Sequence, residues 1–253
     1  MSPPGTNRLG PIGLQTYTVR SLMAKDPNGT LAALSQIGYT EVELTKLDSA
    51  APTEMRKMLD QNHLTAPSGH IELVEMRKNW PQALDDAATR GQRYVVCSWV
   101  PESDRTADGW KRVAAEFNTM GEAARQHGIQ LAYHNHMYEW IPAGSIVPYD
   151  LLLTECDPHL VQMEIDIMWM VKAGHDPLKY FAKYPLRFPM LHVKDMTKQG
   201  EMVDVGRGSI DFGAIFAQAR QGGVKHYFVE HDTPPDPIAD SRVCYEYLRQ
   251  LRF

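Results

Sequence analysis

Leu131-Ala-Tyr-His-Asn-His-Met-Tyr-Glu139 decides the reading of this chain. The apolar run Ile129–Ala132 breaks abruptly into His134, Asn135, His136 and Glu139, then into the loop Pro142-Ala-Gly144. Apolar residues that end in imidazoles and a carboxylate describe a buried strand delivering polar groups to a rim. Three later segments share the form: Val161-Gln-Met-Glu-Ile-Asp166, Met190-Leu-His-Val-Lys-Asp195 and His226-Tyr-Phe-Val-Glu-His-Asp232. Four such strand ends meet in a closed parallel barrel or at a sheet edge.

Between these strands the apolar spacing turns helical. Leu22 to Ile37 is a helix with Asp26 as N-cap and Pro27 at its first position, closed by Gly38. Further helices run from Pro52 to Asn62, Trp80 to Arg90, Gly109 to His127, Tyr149 to Glu155, Asp176 to Tyr184, Ile210 to Arg220 and Pro237 to Leu251. The remaining strands are Pro11–Thr18, Tyr39–Leu44, Leu64–His70 and Arg93–Ser98. Pro67 weakens the third, because proline brings no donor to a ladder. Eight strand–helix units in strict alternation predict a single-domain (β/α)8 barrel, with residues 1–10 as an irregular lead. The 253 residues match the roughly 250 typical of that fold. A doubly wound open sheet is the rival, but no GxGxxG joins a strand to a helix.

Composition excludes several classes. A net charge of −5 argues against a nucleic-acid surface, and no apolar run approaches the roughly 18 residues of a membrane span. Cys97, Cys156 and Cys244 lie far apart, which gives neither a disulfide framework nor a zinc knuckle. The N-terminus has no signal-like apolar region, so the expectation is a cytoplasmic enzyme; an export signal outside this sequence would make it periplasmic.

Catalytic groups of such a barrel sit at the C-terminal ends of its strands. The rims then carry Gln15 and Tyr17, Glu43, His70, Ser98 and Trp99, Glu139, Asp166, His192 and Glu230. Two glutamates, an aspartate and a histidine form an oxygen-rich set suited to Mn2+, Mg2+, Co2+ or Fe2+. Each has a bland alternative: Glu139 as a solvated loop charge, Asp166 as a helix N-cap, His192 as a core histidine. Glu164 competes with Asp166 on the same strand face, and the outer position favours Asp166.

Tyr133-His-Asn-His-x-x-Glu139, Glu164-Ile-Asp166-x-x-Trp169, His192-Val-Lys-Asp195, Val205-Gly-Arg-Gly208 and Phe228-Val-Glu230 resemble the sugar phosphate isomerase/epimerase family, the xylose isomerase-like TIM barrels. Gly13-Leu-Gln-Thr-Tyr-Thr-Val-Arg20 and Ile37-Gly-Tyr-Thr-Glu-Val-Glu43 extend the likeness over nearly the whole chain. The resemblance implies a divalent metal, commonly manganese, held by Glu139, Asp166, His192 and Glu230. Several relatives carry the first glutamate at the end of the fifth strand, where this chain has Tyr133 and His134; in that register His134 or His136 takes its place. Trp169 stands where the tagatose epimerase branch has a histidine, which argues against transferring that substrate.

The chemistry such a set serves is proton abstraction beside the carbonyl of a keto-sugar, as an isomerase or epimerase. Glu139 and Glu230 are the expected acid/base groups, and His136 a proton shuttle. His70, His134, Lys194 and Arg207 are expected to bind hydroxyls or an oxyanion, and Trp99 and Trp169 to stack on the sugar. A keto-glycoside lyase or inosose-type dehydratase would use the same residues. The other readings are a metal-dependent phosphodiesterase, a non-catalytic sugar-binding barrel and a subunit that needs a partner. A homo-oligomer stays open, and the absence of a glycine-rich phosphate loop favours an unphosphorylated sugar.

Overall fold

The computed structural model describes residues 5–48 and 50–253. Eight parallel strands close a barrel: β1 (Gly13–Gln15), β2 (Glu41–Leu44), β3 (Thr65–Glu72), β4 (Tyr94–Trp99), β5 (Gln130–His134), β6 (Val161–Asp166), β7 (Met190–Val193) and β8 (His226–Val229). Closure comes from β1 on β8, with Gly13 opposite Phe228 and Leu14 opposite Val229. Gly13 is needed there, because a Cβ would lie 2.5 Å from the Phe228 ring. The expected fold is the observed one.

Particular elements depart from the expectation for local reasons. β3 is a full strand of eight residues despite Pro67. The β2–β3 register jumps from Glu41–Thr65 to Glu43–Ser68, so a bulge takes up Pro67 while its carbonyl still accepts from Arg93 N at 2.8 Å. The helix expected over Trp80–Arg90 is the second half of Leu73–Arg90, broken where Asn79 leaves helical geometry just before Pro81. Asp26 caps as expected, accepting from Gly29 N, so the helix starts at Pro27 and not at Leu22. The helix beginning at Ala107 is capped by Thr106. Of the irregular lead, residues 1–4 lie outside the described residues, and Asn7 pairs with Phe253 through the backbone. Among the described residues, no helix is long and apolar enough to cross a membrane.

Two apolar zones position the site. A continuous core fills the space between barrel and helices, and a small plug of Tyr94, Val96, Ala132, Met190 and Phe228 fills the barrel interior. Above that plug the interior turns polar, which leaves the C-terminal end for chemistry.

A short hairpin, Asp195–Met196 with Met202–Val203, follows β7 and leads into the Gly-Arg-Gly loop. There Asp195 accepts from the backbone N–H of Met196 (2.8 Å), Gly206 (2.9 Å), Gly208 (2.9 Å) and Ile210 (3.3 Å). A Cβ on Gly208 would stand 2.1 Å from the Asp195 carboxylate, and Gly206 holds φ +91°. The glycines therefore let the loop wrap an aspartate. Asp195→Ala removes the buried acceptor that holds these four donors and should cost about 1–3 kcal/mol. Urea unfolding measures it, and a loss below about 0.5 kcal/mol would contradict this role for Asp195.

Candidate active site

Six of the eight strand ends contribute polar side chains to one buried cluster. β2 brings Glu43, β3 brings Ser68 and His70, β5 His134, β6 Glu164 and Asp166, and β7 His192, with Lys194 and Glu230 just past β7 and β8. Glu164 Oε2 lies 2.8 Å from His70 Nε2, 3.0 Å from His134 Nδ1 and 3.1 Å from His192 Nε2. Glu43 Oε2 faces His70 Nε2 at 3.0 Å and His192 Nε2 at 2.5 Å. It also accepts from Gln15 Nε2 at 2.7 Å, while Ser68 donates to Oε1. Three imidazoles thus converge on two carboxylates.

A second group lies beside the first. Lys194 Nζ stands 3.0 Å from Asp166 Oδ2, 2.8 Å from Glu230 Oε2 and 2.9 Å from Asp232 Oδ1. His192 links the groups, its Nδ1 2.6 Å from Glu230 Oε2. Asp166 Oδ1 caps the following helix by accepting from Trp169 N. Asp166 thus serves as the helix cap through Oδ1, while Oδ2 faces Lys194.

Burial opposes every charge here, and the neighbours decide who keeps one. Burial would lower His70, but the Glu43 charge and the Glu164 contact outweigh it and hold its pKa at about 9. His192 is likewise lifted well above the usual histidine range, against its burial, by Glu164, Glu230 and Glu43. His134 goes the other way: burial and the nearby His192 and His70 hold it well below. Burial raises Asp166 to about 6 although Lys194 opposes this. Glu43 and Glu230 sit well below the carboxylate range, because their cationic partners outweigh their burial.

Two sets of ligand atoms are close enough to share a metal ion: His70, His134, Glu164 and His192, and Asp166, His192 and Glu230. The second already holds the Lys194 ammonium. The first holds no ammonium, and each set has one buried carboxylate oxygen without a hydrogen-bond partner, Glu164 Oε1 and Asp166 Oδ2. A cleft of about 320 Å3 opens above, lined by His70, His134, His136, Lys194, Glu230 and Asp232 among others.

The sequence expectations therefore divide. His70, His134, Asp166, His192, Lys194 and Glu230 come together, His136 lines the cleft wall and Trp99 stands at the mouth. Glu139 stands apart. It is fully buried, accepts from Tyr133 OH at 2.6 Å and His136 N at 2.9 Å, and burial raises its pKa to about 7. Both its oxygens are thus spent on folding the β5 loop. Arg207 points to solvent and pairs with Asp204 at 3.2 Å, because its glycine neighbours serve Asp195. Trp169 has its ring 6.4 Å from that of His136, behind the wall and outside the cleft lining. The sequence places Glu43 on the rim without a role and favours Asp166 over Glu164. The alternation in Glu41-Val-Glu43 is the signal that pointed inward.

The chain belongs to the xylose isomerase-like TIM barrel family, whose model matches residues 31–250. An inosose dehydratase of Lacticaseibacillus casei is 29% identical over 142 residues, covering 49% of this chain and 47% of that protein. The chain thus spans about half the length of that relative. An inosose dehydratase of Geobacillus kaustophilus is 23% identical over 87% of this chain and 86% of its own. The solved structure of a sugar phosphate isomerase/epimerase from Parabacteroides distasonis superposes with a TM-score of 0.83 at 26% identity, covering 98% of both chains.

An imidazole must be neutral to bind a metal. His70 keeps its proton up to about pH 9 and His192 is raised as well, so apparent affinity for Mn2+ should rise with pH up to at least about 9. The metal-free fold runs the opposite way: stability that protonated His70 contributes is full below about pH 6.5 and is lost as pH rises through about 9. Titration calorimetry at several pH values checks this, and affinity that is flat or falls with pH would contradict it. In the same assay Glu164→Gln should weaken binding at least tenfold, whereas Glu139→Gln should leave it within about twofold.

Proposed function

We propose that this protein is a metal-dependent enzyme that removes the proton beside the carbonyl of a keto-sugar, with isomerisation or epimerisation as the outcome. One observation carries the reading: three imidazoles and two carboxylates are buried under a cleft whose wall presents Glu230 and Lys194. His70, His134, Glu164 and His192 would hold the ion. Their three imidazoles and one carboxylate, without thiolate, fit a nitrogen-binding divalent ion such as Fe2+ or Co2+, admit Mn2+ and leave Mg2+ the poorest match. When bound, a divalent ion supplies Lewis-acid polarisation of the sugar's carbonyl and hydroxyl oxygens.

The chain's own groups do the rest. Glu230, held ionised by Lys194 and His192, is placed to accept the proton. Lys194 is placed to donate to the oxygen that gains charge. His136 lines the wall and is kept neutral, because burial and Lys194 lower its pKa to about 3, which favours a hydrogen-bonding role over the shuttling of a proton. Both lysines of the cleft are already paired, Lys46 with Glu72 and Lys194 with its carboxylates, which favours an unphosphorylated sugar.

The inosose dehydratase relatives favour a second outcome from the same step, in which a β-hydroxyl departs as water. Proton exchange separates the reading from binding alone. With Mn2+ and keto-sugars in D2O, the wild type should lose its α-proton NMR signal. Glu230→Gln should slow that loss by about 10²–10⁴-fold with metal content unchanged. Exchange at the wild-type rate in this variant would overturn the role of Glu230, and the absence of exchange in the metal-loaded wild type would overturn the reaction. The product then distinguishes isomer from dehydrated sugar.

A further inference from the structure

The cleft has two characters. Its floor and one wall are polar, whereas Leu47 and Trp99 line its mouth and stay open to solvent, 48% and 40% exposed. Leu47 lies in the loop after β2 and Trp99 at the end of β4, so they flank the end of β3 on one side of the opening.

Trp99 is held firmly for so exposed a side chain. The His136 and Tyr138 rings meet it edge-on at 5.4 and 5.2 Å, and the Arg105 guanidinium stands 4.4 Å from its centroid. Arg105 is itself fixed by donating to Val100 O at 3.0 Å. An indole already locked in place loses little freedom when a ligand covers its open face. His136 joins the zones: its ring contacts His134 on the floor at 4.9 Å and Trp99 at the mouth, and its Nδ1 has no partner. The cleft's 320 Å3 falls in the range of roughly 300–1,000 Å3 that holds ligands of drug size.

We propose that the sugar carries an apolar or planar substituent, as a keto-glycoside with an aryl aglycone does, and that this substituent packs against Leu47 and Trp99. The identity of the polar half rests on the keto-sugar reading above; the apolar half stands on the mouth alone.

The test compares methyl and phenyl glycosides of one keto-sugar on the Mn2+-loaded protein, by calorimetric affinity and by α-proton exchange in D2O. The wild type should bind the phenyl glycoside at least tenfold more tightly than the methyl glycoside. Trp99→Ala should bring that ratio to within about twofold of unity, and Leu47→Ala should reduce it, with metal content and circular dichroism as controls on folding. An equal affinity for both glycosides in the wild type, or a ratio untouched by Trp99→Ala, would overturn the proposal even if both sugars exchange. A Trp99-dependent phenyl preference without any exchange would support the subsite and overturn the enolisation reading instead.

Discussion

Everything at the top of this barrel depends on balancing charge out of water. Glu43, Glu164, Asp166 and Glu230 are all buried, and an isolated carboxylate there would cost several kcal/mol. Lys194 answers Asp166 and Glu230, and the protons on His70 and His192 answer Glu43 and Glu164. The closed ladder makes this possible, because it brings side chains from six strand ends within a few ångströms on a rigid frame. Below, the apolar plug around Phe228 keeps water from entering by the other end.

That balance also explains how the site can take an ion. A divalent ion bearing two charges can replace two imidazolium protons without upsetting the total. The carboxylates that stabilise the protonated histidines are then the groups that attract the metal. Lys194 keeps its own carboxylates occupied throughout, so the two groups share His192 but divide the work. In the proposed reaction one group would polarise the sugar and the other would move its proton.

The barrel was legible because alternation and capping are local properties. Asp26, Asp176 and Asp211 each accept from the first turn of the helix they precede, as their positions before apolar periodic runs imply. The strand ends were legible as polar breaks after apolar runs, which placed His70, His134, Asp166, His192 and Glu230. What sequence left open was which polar group beyond a strand end turns back into the loop. Glu139 lies five residues after His134, and the intervening turn brings its carboxylate under Tyr133, a contact that only the folded loop defines. Glu164 and Asp166 share a face, so pattern alone could not say that both are used, one per layer. Arg207 looked functional because glycines flank it, yet those glycines answer to Asp195. Pro67 signalled a disturbed β3, but that a bulge against β2 would absorb it is set by the pairing of the two strands.

The central claim is that one divalent ion sits among the imidazoles. Crystals grown with Mn2+ and measured at the manganese absorption edge test it directly by locating the metal through anomalous difference density. The account predicts one peak within about 2.0–2.4 Å of His70, His134, Glu164 and His192, with Lys194 still against Asp166 and Glu230. A peak among Asp166, His192 and Glu230 with the Lys194 ammonium expelled would contradict this assignment. So would fully loaded crystals with no peak at either place.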